Sequence, residues 1–262
     1  MKVQPPPNRL LGLYSAAALA FLHAPLVILI VFSFNASRFT TWQGFSLRWY
    51  RAVLSDPQLS EALVNSVIIA VVASALSTVI GTLAAYGIWK RRAGILSGSL
   101  YLSLVTPEIV TGVSLLALFQ WAFRFLHLHL GLATVIVAHV AFSIAYVTIV
   151  ISARLASCDR SLEEAAMDLG ASEWHAFSRV TLPYLAPAIA AAGLLALVVS
   201  FDDYVITSLV AGVDSETLPM VIYAMARRGV SPVVNAVSAL IVVAFGAIIV
   251  ISQRLQRGGR PL

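Results

Sequence analysis

Residues 161–183 read SLEEAAMDLGASEWHAFSRVTLP. This polar, helix-forming stretch interrupts long apolar runs, and it decides the fold. A chain needs no such insert merely to cross a bilayer. Ser161 with Glu164 fits a capping box, in which the hydroxyl takes the Glu164 amide and the carboxylate reaches back. Acidic residues in the first turn suit the positive end of the helix dipole. Ala165, Ala166 and Leu169 supply a small apolar face. Gly170 suits a left-handed stop. Ser172 can start a second short helix from which Trp174 and Phe177 project, and Pro183 and Pro187 mark the return to apolar sequence. Two readings are open: an ordinary cytosolic helical hairpin, or a docking element for another protein.

Outward from this stretch the chain is apolar. Of 262 residues, 60% are hydrophobic and 11% charged, which excludes an ordinary soluble domain and indicates an integral membrane protein. Windows 10–34, 62–89, 109–123, 125–153, 180–201 and 229–253 are almost free of Asp, Glu, Lys and Arg. A hydrocarbon core of about 30 Å takes roughly 20 helical residues. The third window reaches that length with residues 97–107, so six spans are expected.

The net charge of +5 does not mark a nucleic-acid binder, because the basic residues collect in alternate connections. Lys2 and Arg9 precede the first span. Lys90, Arg91 and Arg92 follow the second, Arg154, Arg160 and Arg179 the fourth, and Arg254, Arg257 and Arg260 the sixth. This positive-inside bias puts both termini in the cytoplasm. Arg38, Arg48, Arg51, Arg124, Arg227 and Arg228 run against it. The N-terminal apolar run is too long for a signal-peptide core and reads as a retained anchor. A single cysteine, Cys158, excludes an intrachain disulfide.

Residues 35–61 are amphipathic and aromatic (Phe39, Trp42, Phe45, Trp49, Tyr50), and are expected as a helix lying on the membrane surface. Residues 218–227 are expected as a short re-entrant or surface helix. Ser74, Ser77, Thr78, Gly81, Ala84 and Ala85 give the second span a small-residue face for helix packing.

The skeleton Glu164-Ala165-Ala166, three residues, Gly170, nine residues, Val180, one residue, Leu182-Pro183 closely resembles the EAA motif of permease subunits in type I, MetI-like ATP-binding-cassette importers. Val180 stands where that family usually has Ile. The resemblance covers nearly the whole chain. Residues 33–39, 42–45, 48–50, 106–110, 200–204, 217–219 and 229–236 resemble the second permease of spermidine/putrescine systems. It implies an all-α, six-transmembrane-helix permease in one domain, residues 1–262, with a cytoplasmic coupling helix in loop 154–185. In that family the loop seats in a cleft of a separate ATPase subunit. Carried over, Glu164, Ala165, Ala166 and Gly170 belong to the coupling element, with Glu163, Asp168, Trp174 and His175 as neighbours in the contact. The implied partners are a second, different permease, two ATPase subunits and a periplasmic or extracellular substrate-binding protein. Nucleic acid is not among them. The implied location is the bacterial inner membrane.

Ionisable groups at membrane depth cost several kcal/mol and mark pathways or partners. Glu108 follows Pro107, which is expected to kink or break the third span. Asp202 and Asp203 sit side by side in the fifth, and residues about 100° apart cannot both face one path equally. Glu108 and at least one of this pair are expected to guide a cation, with Phe201, Tyr204, Tyr146 and Trp121 adding cation–π contacts. The alternative is that the carboxylates pair with a partner's basic groups or cap broken helix ends. Neither span contains Lys or Arg, so no internal counter-ion is evident. His139 reads as a packed core group. His127 and His129 lack further ligands, so no metal site is expected.

The only lysines, Lys2 and Lys90, do not follow glycine, so no phosphate-binding loop is present. No catalytic set is recognisable. The resemblance places ATP and Mg on the partner ATPase, and no cofactor is expected in this chain. The competing readings are an ion-coupled secondary carrier, which predicts internal repeats that the sequence lacks, and a membrane scaffold, which leaves the buried carboxylates without a role.

Overall fold

The computed structural model describes residues 9–38, 41–91, 94–126, 129–229 and 231–258. Lys2, Phe39, Arg92, His127, Val230 and Arg260 lie outside them. The described chain is almost wholly helical: α1 (Arg9–Ser33), α2 (Arg48–Ser55), α3 (Pro57–Arg91), α4 (Gly94–Val105), α5 (Glu108–Leu126), α6 (Leu132–Leu155), α7 (Ser161–Asp168), α8 (Glu173–Ala176), a π turn (Phe177–Thr181), α9 (Leu182–Asp202), α10 (Val205–Val210), α11 (Leu218–Arg227) and α12 (Pro232–Gly258).

Among the described residues six helical segments are long and apolar enough to cross a membrane: Leu10–Ser33, Pro57–Arg91, Glu108–Phe125, Leu132–Leu155, Glu173–Asp202 and Pro232–Val250. The fourth begins seven residues later than its apolar window, because Gly131 and Thr134 cap it: the Gly131 amide donates to Thr134 Oγ1 at 2.9 Å. The third span breaks where proline requires it. Thr106 ends the hydrogen bonding of α4, and the Pro107 carbonyl accepts the first amides of α5.

Contacts among the described residues fall into two compact units, one within Met1–Ser60 and Ala224–Leu262, the other Glu61–Tyr223. In the first, α1 and α2 pack along α12. The expected surface helix over 35–61 is not what forms. Helix forms only in α2 and in the first residues of α3, and the described chain before α2 folds around Asn35. The Asn35 side chain accepts from the Gln43 amide (2.9 Å) and donates to the Thr41 carbonyl (2.8 Å), while Trp49 Nε1 donates to the Asn35 carbonyl (2.7 Å). An asparagine that replaces backbone partners in this way favours a turn over a helix.

The second unit carries the candidate site. α6 packs against α9 and α10, α10 against α5, and α4 against α6. Ala85, Val147, Ile151, Leu155, Leu185, Ala192 and Ala196 form one buried cluster, and Ile69, Phe119, Val135, Ala138, Ile206 and Val210 another. In lipid, helices gain little from hydrophobicity and associate through close contact. The small face of α3 provides it: a Cβ on Gly81 would sit 2.7 Å from Val147 Cγ1, so α3 and α6 touch at backbone range.

Candidate functional site

The hairpin between α6 and α9 is held by local chemistry. The expected capping box does not form. Asp159 takes the role instead, its Oδ1 accepting from the Ser161 amide at 2.9 Å, while α7 has no side-chain cap from Ser161. Hydrogen bonds from Ser161 hold the Asp159 carboxyl below its ordinary pKa. The Asp159 carboxylate takes the Ser161 amide that Glu164 would have reached back to, and the Glu164 amide donates to the Arg160 carbonyl (3.2 Å) instead of to the Ser161 hydroxyl. The helix ends as its sequence indicates: Gly170 has φ +91°, its amide donates to the Met167 carbonyl (2.9 Å), and Ala171 donates to Ala166 (3.0 Å). This is a Schellman motif. Ser172 caps α8 through the His175 amide.

The outer face of the hairpin is bare. Leu169 is 90% exposed, Trp174 66% and Leu162 52%, and Glu164, Ala165, Asp168, Gly170 and His175 are also exposed. Ala166 is half-buried. Two residues point the other way. Phe177, expected to project, is buried with its ring 4.5 Å from that of Tyr86. Glu163, expected beside Glu164 on the contact face, is buried and bonded to Lys90, Tyr86 and Thr181. Cys158, half-buried beside the hairpin, has its thiol pKa pushed up by burial.

At the opposite end of α9, a cavity of about 330 Å³ is lined by Glu108, Tyr146, Asp202, Asp203 and Tyr204, with Phe142 in its wall. Breaks in two helices bring these groups together: Pro107 starts α5 at Glu108, and α9 stops at Asp202. Asp203 causes the second break. Its carboxylate accepts from the Thr207 amide (2.8 Å) and Thr207 Oγ1 (2.7 Å), capping α10. Among the described lining residues none is Lys or Arg. Glu108 and Asp202 are exposed to the cavity side of the fold, whereas the Asp203 side chain is 7% exposed.

His139 sits beneath Asp203. Its Nε2 lies 3.4 Å from Asp203 Oδ2 and 2.9 Å from Thr207 Oγ1, and its Nδ1 lies 2.7 Å from Ser200 Oγ. Asp203 therefore has an internal partner, which the Lys- and Arg-free spans do not indicate. No local signal marks it, because its partners are 61 to 68 residues away. Two expected aromatic groups are not in the lining. Trp121 is 62% exposed and stands edge-on to Phe125, and Phe201 is buried in the helix packing. Tyr204 lies against Tyr223, ring centroids 4.2 Å apart. Among the described residues no cluster of three or more His, Cys, Asp or Glu is placed to hold a metal.

Comparison with known proteins agrees with this architecture. The family model described as "Binding-protein-dependent transport system inner membrane component" matches residues 77–258. A spermidine/putrescine transport system permease protein, PotC of Haemophilus influenzae, is 38% identical over 91% of this chain and 93% of its own. The putrescine transport system permease protein PotI of Escherichia coli K12 is 42% identical over 87% and 84%. Among solved structures, a chain of a bacterial ABC transporter for alginate import superposes with TM-score 0.75 at 15% identity, covering 97% of this chain and 95% of its own. A chain of the MetNI methionine ABC transporter gives TM-score 0.61 at 17% identity, over 79% and 100%. The chain belongs to the family of binding-protein-dependent transport system inner membrane components, and is a multi-pass inner-membrane transport subunit rather than an enzyme.

Proposed function

We propose that this chain is one permease of an ATP-driven importer for polyamines of the spermidine and putrescine type. It pairs with a second, different permease around the path. Two ATPase subunits seat on the hairpins, and an external binding protein delivers the solute. Both termini face the cytoplasm, as the alternation of basic connections supports.

The observation that carries this reading is the hairpin. A capped, ordered projection that leaves Leu169 and Trp174 in the open has the composition of a contact surface, with an exposed aliphatic and an aromatic anchor. Glu164, Ala165, Ala166, Asp168, Gly170 and His175 complete that surface. ATP-driven closure of the ATPases would move the hairpins and rock the spans outward, and hydrolysis would reset them.

The cavity supports the cationic substrate. Glu108 and Asp202 offer carboxylates at membrane depth, where an unpaired charge is costly and a passing amine lowers the cost. Tyr146 and Tyr204 add ring faces for the same ammonium groups. The named relatives carry polyamines, which agrees with this chemistry.

The test is reconstitution of the four kinds of subunit in liposomes with labelled spermidine or putrescine inside or outside. Uptake that requires both ATP and the binding protein is expected. Movement of solute by this chain alone, without nucleotide, would sink the reading.

A further inference from the structure

Glu163 is 3% exposed, although it lies on an eight-residue helix of a projecting hairpin. Both its oxygens are occupied. Oε1 accepts from Thr181 Oγ1, in the π turn that opens α9. Oε2 accepts from Lys90 Nζ and from Tyr86 OH, each at 3.2 Å, both on the last turns of α3. The grip is reinforced nearby. Arg160 donates to the Trp89 carbonyl and lies 4.7 Å over the Trp89 ring, and Phe177 packs on Tyr86. One carboxylate thus joins three pieces of chain: the end of α3, the hairpin helix α7 and the start of α9.

Burying an ion pair gains little stability over a well-packed apolar group of the same size. What it adds is a fixed geometry among the pieces it joins. Glu164 is one residue, about 100°, further round α7 and faces outward. Adjacent glutamates are therefore divided between an outer contact and an inner tie.

We propose that Glu163 is a positioning residue for energy coupling: it carries displacement of the hairpin into α3 and α9 and takes no part in the ATPase contact itself. This rests on the importer reading above. Seating the ATPase and moving the spans are then separable functions, with Glu164, Leu169 and Trp174 serving the first and Glu163, Lys90 and Tyr86 the second.

The experiment uses the complete importer in liposomes, with spermidine as probe and ATP hydrolysis measured alongside uptake. Glu163→Gln keeps the side chain's shape and an acceptor for the hydroxyls but loses the ion pair. The expected result is normal co-purification of the ATPase subunits, continuing hydrolysis, and spermidine moved per ATP reduced roughly tenfold, the size of an ordinary coupling between sites. Lys90→Met and Tyr86→Phe are expected to shift the same ratio in the same direction by less, and they decide the matter if Glu163→Gln does not insert. Wild-type spermidine per ATP in Glu163→Gln overturns the proposal, and so does loss of the ATPase subunits from that variant. Where Glu163→Gln does not insert, a wild-type ratio in both partner variants overturns it. Absence of ATP-dependent spermidine uptake by the wild-type complex would overturn the importer reading itself, and the tie with it.

Discussion

Asp203 Oδ2 lies 3.4 Å from His139 Nε2, and the same oxygen accepts from the Thr207 amide and hydroxyl. One of two adjacent carboxylates is thus tied into the protein, while its neighbour Asp202 is left to the cavity. Asp202→Asn is expected to lower polyamine uptake by about tenfold with assembly and thermal stability unchanged, since it deletes a charge but keeps an oxygen that can accept from the Asp202 backbone amide. Uptake at the wild-type level would remove Asp202 from the path.

Asp203→Asn and His139→Ala act differently. Each strands buried polar groups, which costs about 1–3 kcal/mol. Both are expected to lower the midpoint of thermal unfolding in detergent, with uptake falling along with the amount of folded complex. An unchanged midpoint in both variants would show that the pair does not brace the break between α9 and α10.

Gly170 holds φ +91°, where a β-branched residue is strained by roughly 1–3 kcal/mol. No side chain crowds the site, so the effect of Gly170→Val comes from the backbone alone. The variant is expected to insert normally and to retain less ATPase subunit through purification. Retention equal to wild type would count against the hairpin as the seat.

Leu169→Asp tests the same seat without touching the backbone. Leu169 is 90% exposed, so the substitution leaves the isolated permease stable while placing a charge at the centre of the proposed contact. Loss of a central apolar anchor is worth about 2 kcal/mol or more, a drop in ATPase affinity of about thirtyfold. Unaltered affinity, measured by pull-down at graded ATPase concentration, would exclude Leu169 from the contact.

Gly212→Ala probes packing instead of function. A Cβ there would fall 1.9 Å from the Leu130 carbonyl oxygen, which is backbone and cannot swing aside. Overpacking of this kind costs about 1–3 kcal/mol. A lower unfolding midpoint is expected, and an unchanged one would mean that the two loops do not meet so closely.

Local chemistry was legible in the sequence wherever one residue decides the geometry. Pro107 announces the break before Glu108, Gly170 the left-handed stop, Ser172 the cap of α8, and the apolar windows the six spans. What stayed hidden depends on groups far apart in the chain. Glu163 and Glu164 look alike in sequence, and only Lys90, Tyr86 and Thr181 decide which turns inward. His139 carries no mark of its pairing with Asp203. The segment before α2 shows helical amphipathicity, yet the Asn35 side chain captures its backbone partners. Ser161 suits a capping box in the sequence, but the Asp159 carboxylate takes the Ser161 amide first.

The π turn at Phe177–Thr181 leaves its own legacy. A π turn takes one more residue per turn than ordinary winding, so every residue beyond it trails by about 100°. The whole of α9 is therefore phased against the hairpin like a shaft keyed one notch around. Removing one residue from these five positions would let ordinary winding resume with Asp202 still aimed at the cavity, whereas a deletion inside α9 itself would swing Asp202 away by about 100°.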